Sequence, residues 1–243
     1  MKYEFQKEFC ANYSTLDHSM RQGLTSCFMW QQDMLTEYFE SFGSDNITLK
    51  TKCGALWVFT KTIIKIFRLP VWRQKVFARS YTTKVTKATF DAETVFSDEN
   101  GETLFVFRSE ACAMDAEGRK LRRIESVIFP KDMECLPPLI SEGFSRPRTS
   151  ASEPCLKYKI SATDIDFSSH VNNVNYVKLT LNALSVDFLT ANDVTFYEIH
   201  FFKETLLGDE ISVFKEEKEG EIYFSLQNKS GEVAAAKMCY LKS

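Results

Sequence analysis

Thirteen consecutive residues of this 243-residue chain, DIDFSSHVNNVNY (164–176), gather two aspartates, one of the three histidines and three asparagines. They stand where an apolar pattern of helical period begins, at Val174, Val177, Leu181 and Leu184. A carboxylate such as Asp166 can activate a water or attack a carbonyl itself. His170 can hold or pass a proton near neutral pH. Backbone N–H groups at a helix start lack intrahelical partners, so those around Asn172, Asn173 and Val174 can donate to an oxyanion. The cluster also has a plain structural reading, because an aspartate just before a helix is far more often its cap.

The elements that must position these residues follow from the rest of the chain. Five of the six prolines fall in FPKDMECLPPLISEGFSRPRTSASEP, a linker composition, which divides the chain into units 1–135 and 154–243 joined by 136–153. Each unit reads as a polar lead-in, one helix and several strands. The first helix is expected over SMRQGLTSCFMWQQDMLTEYFESFG (19–43) with Gly43 as its stop, and the second over NNVNYVKLTLNALSVDFL (172–189). KIFRLPVWRQKVFA and HFFKETLLGDEISV align without a gap, Phe67 on Phe202 and Arg68 on Lys203, and NGETLFVF and SGEVAAAK share a Gly-Glu turn at Gly101 and Gly231. Two copies of one helix-plus-antiparallel-sheet unit make an α+β protein, the tandem (double) hotdog architecture.

Composition narrows the function classes. A net charge of −3 and a pI near 5.8 argue against nucleic acid as a partner. Seven scattered cysteines without a C-x-x-C spacing read as free thiols in a reducing cytoplasm, with no zinc site. The start MKYEFQKEFC lacks an apolar signal region and no run reaches the length of a membrane span, so a soluble, unprocessed protein without membrane association is expected. His18 and His200 are expected at the surface or half-buried, and Tyr176 and Trp57 in the core.

DIDFSSHVNNVNY resembles the active-site segment of acyl-carrier-protein thioesterases, in which Asp-x-Asn-x-His precedes Val-Asn-Asn and a tyrosine. The resemblance continues through WVFTKTIIKIFRLPVW, RRI at Arg122 to Ile124, and FFKETLLGDEI, and covers nearly the whole chain. It maps Asp166, Ser168, His170 and Glu204 onto the family's catalytic positions. Ser168 replaces the family's usual asparagine, and Thr205 stands where plant members carry a cysteine, which excludes a cysteine nucleophile there. The favoured route has Glu204 and His170 polarising a water with Asp166 orienting or assisting; attack by Asp166 through an anhydride is the alternative, and the sequence does not separate the two.

The resemblance implies hydrolysis of an acyl-acyl carrier protein to a free fatty acid, ending chain elongation, with no metal or organic cofactor. The substrate partner is then an acyl carrier protein bearing its acyl chain on phosphopantetheine. Competing readings are an acyl-CoA thioesterase, a non-catalytic acyl-binding module and a hotdog dehydratase. Glu204 aligns with Leu69 in the first unit, which is accordingly expected to hold the acyl chain, with Met20, Leu24, Cys27, Phe28 and Met34 as pocket walls. The basic run Arg119, Lys120, Arg122 and Arg123 is the candidate dock for an acidic carrier, Lys157 and Lys159 being weaker candidates. A monomer or a homodimer is compatible with a tandem repeat.

Overall fold

The computed structural model describes residues 3–242. They fall into two compact units, Met1–Gly143 and Phe144–Ser243. In the N-terminal unit, β1 (Glu4–Cys10), β2 (Ala55–Ile66), β3 (Lys75–Val85), β4 (Thr89–Ser97) and β5 (Thr103–Asp115) form an antiparallel sheet ordered β1-β3-β4-β5-β2, and the two-residue β6 (Leu121–Arg122) pairs with β5. Helix α1 (Leu24–Glu40) buries Leu24, Cys27, Phe28, Gln31, Met34, Leu35, Tyr38 and Phe39, the three-and-four spacing of one helical face. That face meets an aromatic core: Phe28 lies edge-on to Phe107 at 4.9 Å, and Phe39 to Phe90 at 5.4 Å. Trp57 is buried and donates its indole N–H to the Ser44 carbonyl at 2.8 Å. Helix α2 (Asn46–Cys53) is bounded by Asp45, which accepts from the Ile47 and Thr48 amides, and by Gly54 at φ 60°.

The C-terminal unit repeats this plan. Strands β7 (Leu156–Lys159), β8 (Asn192–Phe201), β9 (Glu210–Lys218), β10 (Glu221–Asn228) and β11 (Gly231–Lys242) form the order β8-β11-β10-β9-β7, the N-terminal order strand for strand. Gly101 (φ 82°) and Gly231 (φ 105°) reverse the matching hairpins, where a left-handed backbone excludes a side chain without strain. Each unit is a hotdog, one helix laid on an antiparallel sheet.

The first helix expectation overran and the second missed a break. Residues 19–22 are not helical, because Leu16 and Gln22 bridge as antiparallel partners and Gly23 is the N-cap. The second helix breaks into α3 (Asn173–Asn182) and α4 (Val186–Ala191) at Ser185, whose hydroxyl accepts the Phe188 amide and so caps a new helix.

The proline-rich segment is no slack tether. Prolines keep it extended and outside either ladder, so its remaining amides need other acceptors. Within the N-terminal unit, buried Glu93 accepts from the Leu139 and Ile140 amides at 2.7 and 3.1 Å. Within the C-terminal unit, buried Glu198 accepts from the Ser145 amide and hydroxyl at 2.7 and 2.9 Å, and from His200 Nε2 at 2.7 Å. His200 is therefore fully internal, 4% exposed, against the surface or half-buried place its sequence context suggested. His18 is exposed.

Candidate active site

The loop before α3 is a tight excursion closed on itself. Ile165 and Val171 form an antiparallel bridge, the Asp166 amide donates to the His170 carbonyl at 2.9 Å, and the Ser169 amide to the Asp166 carbonyl at 3.0 Å. Ser169 takes φ 66°, the left-handed conformation that so short a return requires. The Val171 amide donates to the Thr205 carbonyl at 3.0 Å, fixing the loop to the segment that follows β8. Glu204 and His170 are brought together as a result.

Four side chains form one chain of contacts. Glu204 Oε2 lies 3.1 Å from His170 Nε2; His170 Nδ1 is 3.3 Å from Ser168 Oγ; Ser168 Oγ donates to Asp166 Oδ1 at 2.5 Å. The Ser168 amide donates to the same carboxylate oxygen at 2.8 Å. Ser168 has one hydroxyl proton, and its short contact with a carboxylate takes it. His170 must then donate from Nδ1, so the Nε2 contact with Glu204 closes only when a proton lies between them, on the ring or on the carboxyl. The His170 side chain is 15% exposed and that of Glu204 44%, so the reactive end of the chain faces solvent.

The helix start is more committed than its sequence implied. Asn172 is the N-cap of α3; its side chain accepts the Val174 amide at 2.9 Å, its carbonyl accepts the Asn175 amide, and its own amide donates to the Asp164 carbonyl at 3.0 Å. Neither Asn172 nor Val174 has an amide to offer an oxyanion, which corrects that expectation. Asn173, the first helical residue, keeps an N–H with no such partner among the described residues. The cap is Asn172, so Asp166 is released from the capping reading. Asp164 has a structural use, accepting from the Ser161 amide and hydroxyl and from the Tyr158 hydroxyl, while Asn175 Nδ2 donates to its carbonyl. Burial opposes ionisation of Asp164, but the Ser161 and Tyr158 hydrogen bonds prevail and hold the carboxyl below its usual range.

Behind the loop, Tyr176 is buried, its ring 5.8 Å from that of Phe201. Burial pushes its phenol up to about 12, Thr205 pulling the other way while Glu204 and Asp209 add negative field. The phenol approaches Thr205 without a well-formed hydrogen bond, and Thr205 Oγ1 is buried with no partner. Thr205 stands out in the sequence only for the cysteine it replaces, and nothing in its neighbours there marks a buried hydroxyl.

The remaining expected residues lie in the N-terminal unit. Leu24, Cys27, Phe28 and Met34 are buried on the sheet-facing side of α1, whereas Met20 is 47% exposed at φ 60°, a loop residue and not part of a wall. Burial, and then the charge of Asp17, push the Cys27 thiol well above its ordinary value. Arg119 and Lys120 are exposed in the β5–β6 turn. Arg122 is committed to structure, its guanidinium donating to the Cys53 and Ser126 carbonyls at 2.6 and 3.0 Å. Arg123 pairs with Glu125 at 3.1 Å, both largely exposed. The basic run thus does not act as one patch.

Both units have known relatives. Residues 2–130 match the family model for the acyl-ACP thioesterase N-terminal domain, and residues 148–240 that for the C-terminal domain. The chloroplastic oleoyl-acyl carrier protein thioesterase 2 of Arabidopsis thaliana is 20% identical over 212 residues, 82% of this chain; the match spans 58% of that relative's length. Among solved structures, an acyl-ACP thioesterase from Bacteroides thetaiotaomicron superposes with a TM-score of 0.91 at 20% identity over 98% of both chains. The 12:0-ACP thioesterase from Umbellularia californica does so at 0.81 and 16%, over 99% of this chain and 98% of its own. At such identities the superpositions establish the fold, and the two family models, which together span most of the sequence, establish the lineage: the chain belongs to the acyl-ACP thioesterase family.

Proposed function

We propose that this protein hydrolyses the thioester of an acyl chain carried by an acyl carrier protein, releasing a free fatty acid and the carrier thiol. The observation that carries the reading is the continuous contact from Glu204 through His170 and Ser168 to Asp166. Glu204, the exposed end, accepts a proton from water as the water oxygen bonds to the thioester carbonyl carbon. The carbonyl electron pair moves onto oxygen, and the Asn173 N–H at the front of α3 stabilises that oxyanion. Collapse breaks the carbon–sulfur bond, and His170 Nε2 gives its proton to the departing thiolate. Glu204 then returns its proton to His170 across their 3.1 Å contact, closing the cycle. Ser168 and Asp166 hold the ring with Nδ1–H turned inward, a role equivalent to that of the aspartate in a hydrolytic triad. In this route Asp166 Oδ1 accepts both hydrogen bonds from Ser168 and so acts as the anchor of the chain, with water as the nucleophile.

Leu24, Cys27, Phe28 and Met34 remain the proposed apolar walls for the acyl chain in the N-terminal unit, and 1–135, 136–153 and 154–243 the proposed division into acyl-holding unit, linker and catalytic unit. Seven unpaired thiols suit a reducing cytoplasm. Among the described residues no helix is long and apolar enough to cross a membrane.

The test is release of free acid from acyl-carrier-protein thioesters beside the matching coenzyme A series. Turnover of the carrier series, lowered roughly 10²- to 10⁴-fold in kcat by Glu204→Gln with folding intact, is the expected result. Preference for the coenzyme A series would transfer the activity to that carrier, and unchanged turnover in Glu204→Gln would remove Glu204 from the reaction.

A further inference from the structure

The loop carrying Asp166, Ser168 and His170 has a counterpart in the N-terminal unit that its sequence conceals. A 3-10 turn at Tyr13–Thr15 leads into it, as one at Ala162–Asp164 leads into the first. Leu16 bridges Gln22 as Ile165 bridges Val171, and the Asp17 amide donates to the Arg21 carbonyl at 2.7 Å as Asp166 does to His170. Met20 takes φ 60° where Ser169 takes 66°. The Ser19 amide and hydroxyl donate to Asp17 Oδ1 at 2.8 and 2.6 Å, reproducing Ser168 on Asp166. The Gln22 amide reaches the Pro70 carbonyl at 2.7 Å, as the Val171 amide reaches Thr205. Asp17, Ser19, Arg21 and Leu69 therefore occupy the places of Asp166, Ser168, His170 and Glu204.

Two exchanges change the chemistry. Arg21 replaces the titrating imidazole with a fixed cation and is oriented the same way, Nε donating to Ser19 Oγ at 2.9 Å. Leu69 removes the carboxylate. A copy so altered lacks the imidazole and the facing carboxylate on which the hydrolytic route depends, and in the place of the imidazole it offers a permanent guanidinium, a group that pairs with carboxylates.

The surroundings specify what kind of anion. Met20, Val71 and Trp72 are 47%, 49% and 48% exposed, and Val71 is the bridge partner of Arg21. Arg73 lies 4.8 Å over the Trp72 ring, a second guanidinium on the same surface. Exposed apolar residues taken singly mean little, but three beside two guanidiniums form a surface for an amphiphile with an anionic head.

We propose that this loop is a second binding site, for a long-chain carboxylate, with the head group on Arg21 and the chain over Met20, Val71 and Trp72. The identity of that carboxylate as the reaction product rests on the thioesterase reading above. Occupancy makes the protein responsive to accumulated fatty acid at a place separate from the hydrolytic loop.

Calorimetry with decanoate and product-inhibition kinetics on the full chain test this. Two decanoate sites are expected in the wild type. In Arg21→Gln the second weakens roughly 10- to 100-fold, the scale of losing a charge-assisted head-group contact. Arg21→Lys keeps part of it, Trp72→Ala weakens it several-fold, and kcat without decanoate is unchanged in all three. Decanoate should lower kcat at saturating thioester in the wild type and only raise KM in Arg21→Gln. Decanol, lacking the charge, should bind the wild type and Arg21→Gln alike. A single decanoate site in the wild type, or stoichiometry and inhibition unmoved by Arg21→Gln and Trp72→Ala, would overturn the proposal, as would equal losses for decanol. Arg21-dependent decanoate binding by a chain that hydrolyses no thioester would retire the hydrolase reading while keeping this site.

Discussion

Replacing Ser168 tests whether the link between His170 and Asp166 contributes to turnover. Ser168→Ala removes the hydroxyl that donates to Asp166 at 2.5 Å and stands 3.3 Å from His170 Nδ1, but keeps the amide that donates to the same carboxylate at 2.8 Å. The loop should fold, because its bridge and its two internal backbone bonds do not involve that side chain. What is lost is the acceptor that fixes the imidazole with Nδ1–H inward. A hydrogen bond to a charged group contributes about 1.5–3 kcal/mol, and 1.36 kcal/mol is tenfold in rate. The 3.3 Å contact is long, so a fall of roughly 10- to 100-fold in kcat with little change in KM is expected. Ser168→Asn supplies an oxygen for Nδ1–H and an NH₂ for Asp166, and should keep kcat within about fivefold of wild type or raise it. Exposed Cys135 and Cys155 would consume a thiol-detecting reagent, so the assay is the steady-state release of free acid over a range of substrate concentrations. Ser168→Ala within about twofold of wild type would end the functional chain at the His170–Glu204 pair. A dead Ser168→Asn beside a silent Ser168→Ala would refute the alignment with the family asparagine.

Three further predictions concern stability, pH and the carrier. Thr205→Val replaces a partnerless buried hydroxyl with a methyl and should stabilise by about 1 kcal/mol, raising Tm by about 2–4 °C in a chain of this size; a fall in Tm on scanning calorimetry would mean that the hydroxyl is engaged. Asp164 has a folded-state pKa below its unfolded value, so its contribution is present above the unfolded pKa, about 4, and is lost as pH falls through the lower folded value. The stability deficit of Asp164→Asn should accordingly be full at pH 7 and shrink in acid, and a deficit independent of pH in urea titrations would contradict it. Reversing exposed Arg119 and Lys120 to Glu should raise KM for the acyl-carrier substrate, weaken the salt dependence of kcat/KM, and leave kcat on a short synthetic thioester unchanged; equal losses on both substrates would indicate structural damage.

What could be read from the sequence was whatever lies within one turn of chain or follows strand register. Asp166, Ser168 and His170 sit in five consecutive positions, and alignment of the residues after β8 with those after β2 placed Glu204 opposite Leu69, as the structure does through the paired Pro70 and Thr205 carbonyls. Interactions that close over long stretches were not legible. Glu93 and Glu198 look like ordinary strand glutamates until residues 139–145 return to them with unpaired amides, and His200 looks like a surface histidine until Glu198 and Phe144 enclose it. The helix break at Ser185 reflects a local competition, since a serine can extend a helix or begin another.

The concealed loop at Asp17 to Arg21 is the sharpest case. Its backbone hydrogen bonds and left-handed residue match those of the 166–170 loop, yet Met20 at φ 60° and Ser169 at φ 66° are both non-glycine, so neither announces the turn. Its aspartate and serine were present in the sequence, but arginine at 21 hid them, because a search keyed to a histidine passes over the residue that keeps the geometry and discards the proton. Backbone hydrogen bonding therefore preserves the repeat more faithfully than side-chain identity does. The chemistry of each copy is decided by only two positions, His170 or Arg21 on the loop and Glu204 or Leu69 facing it.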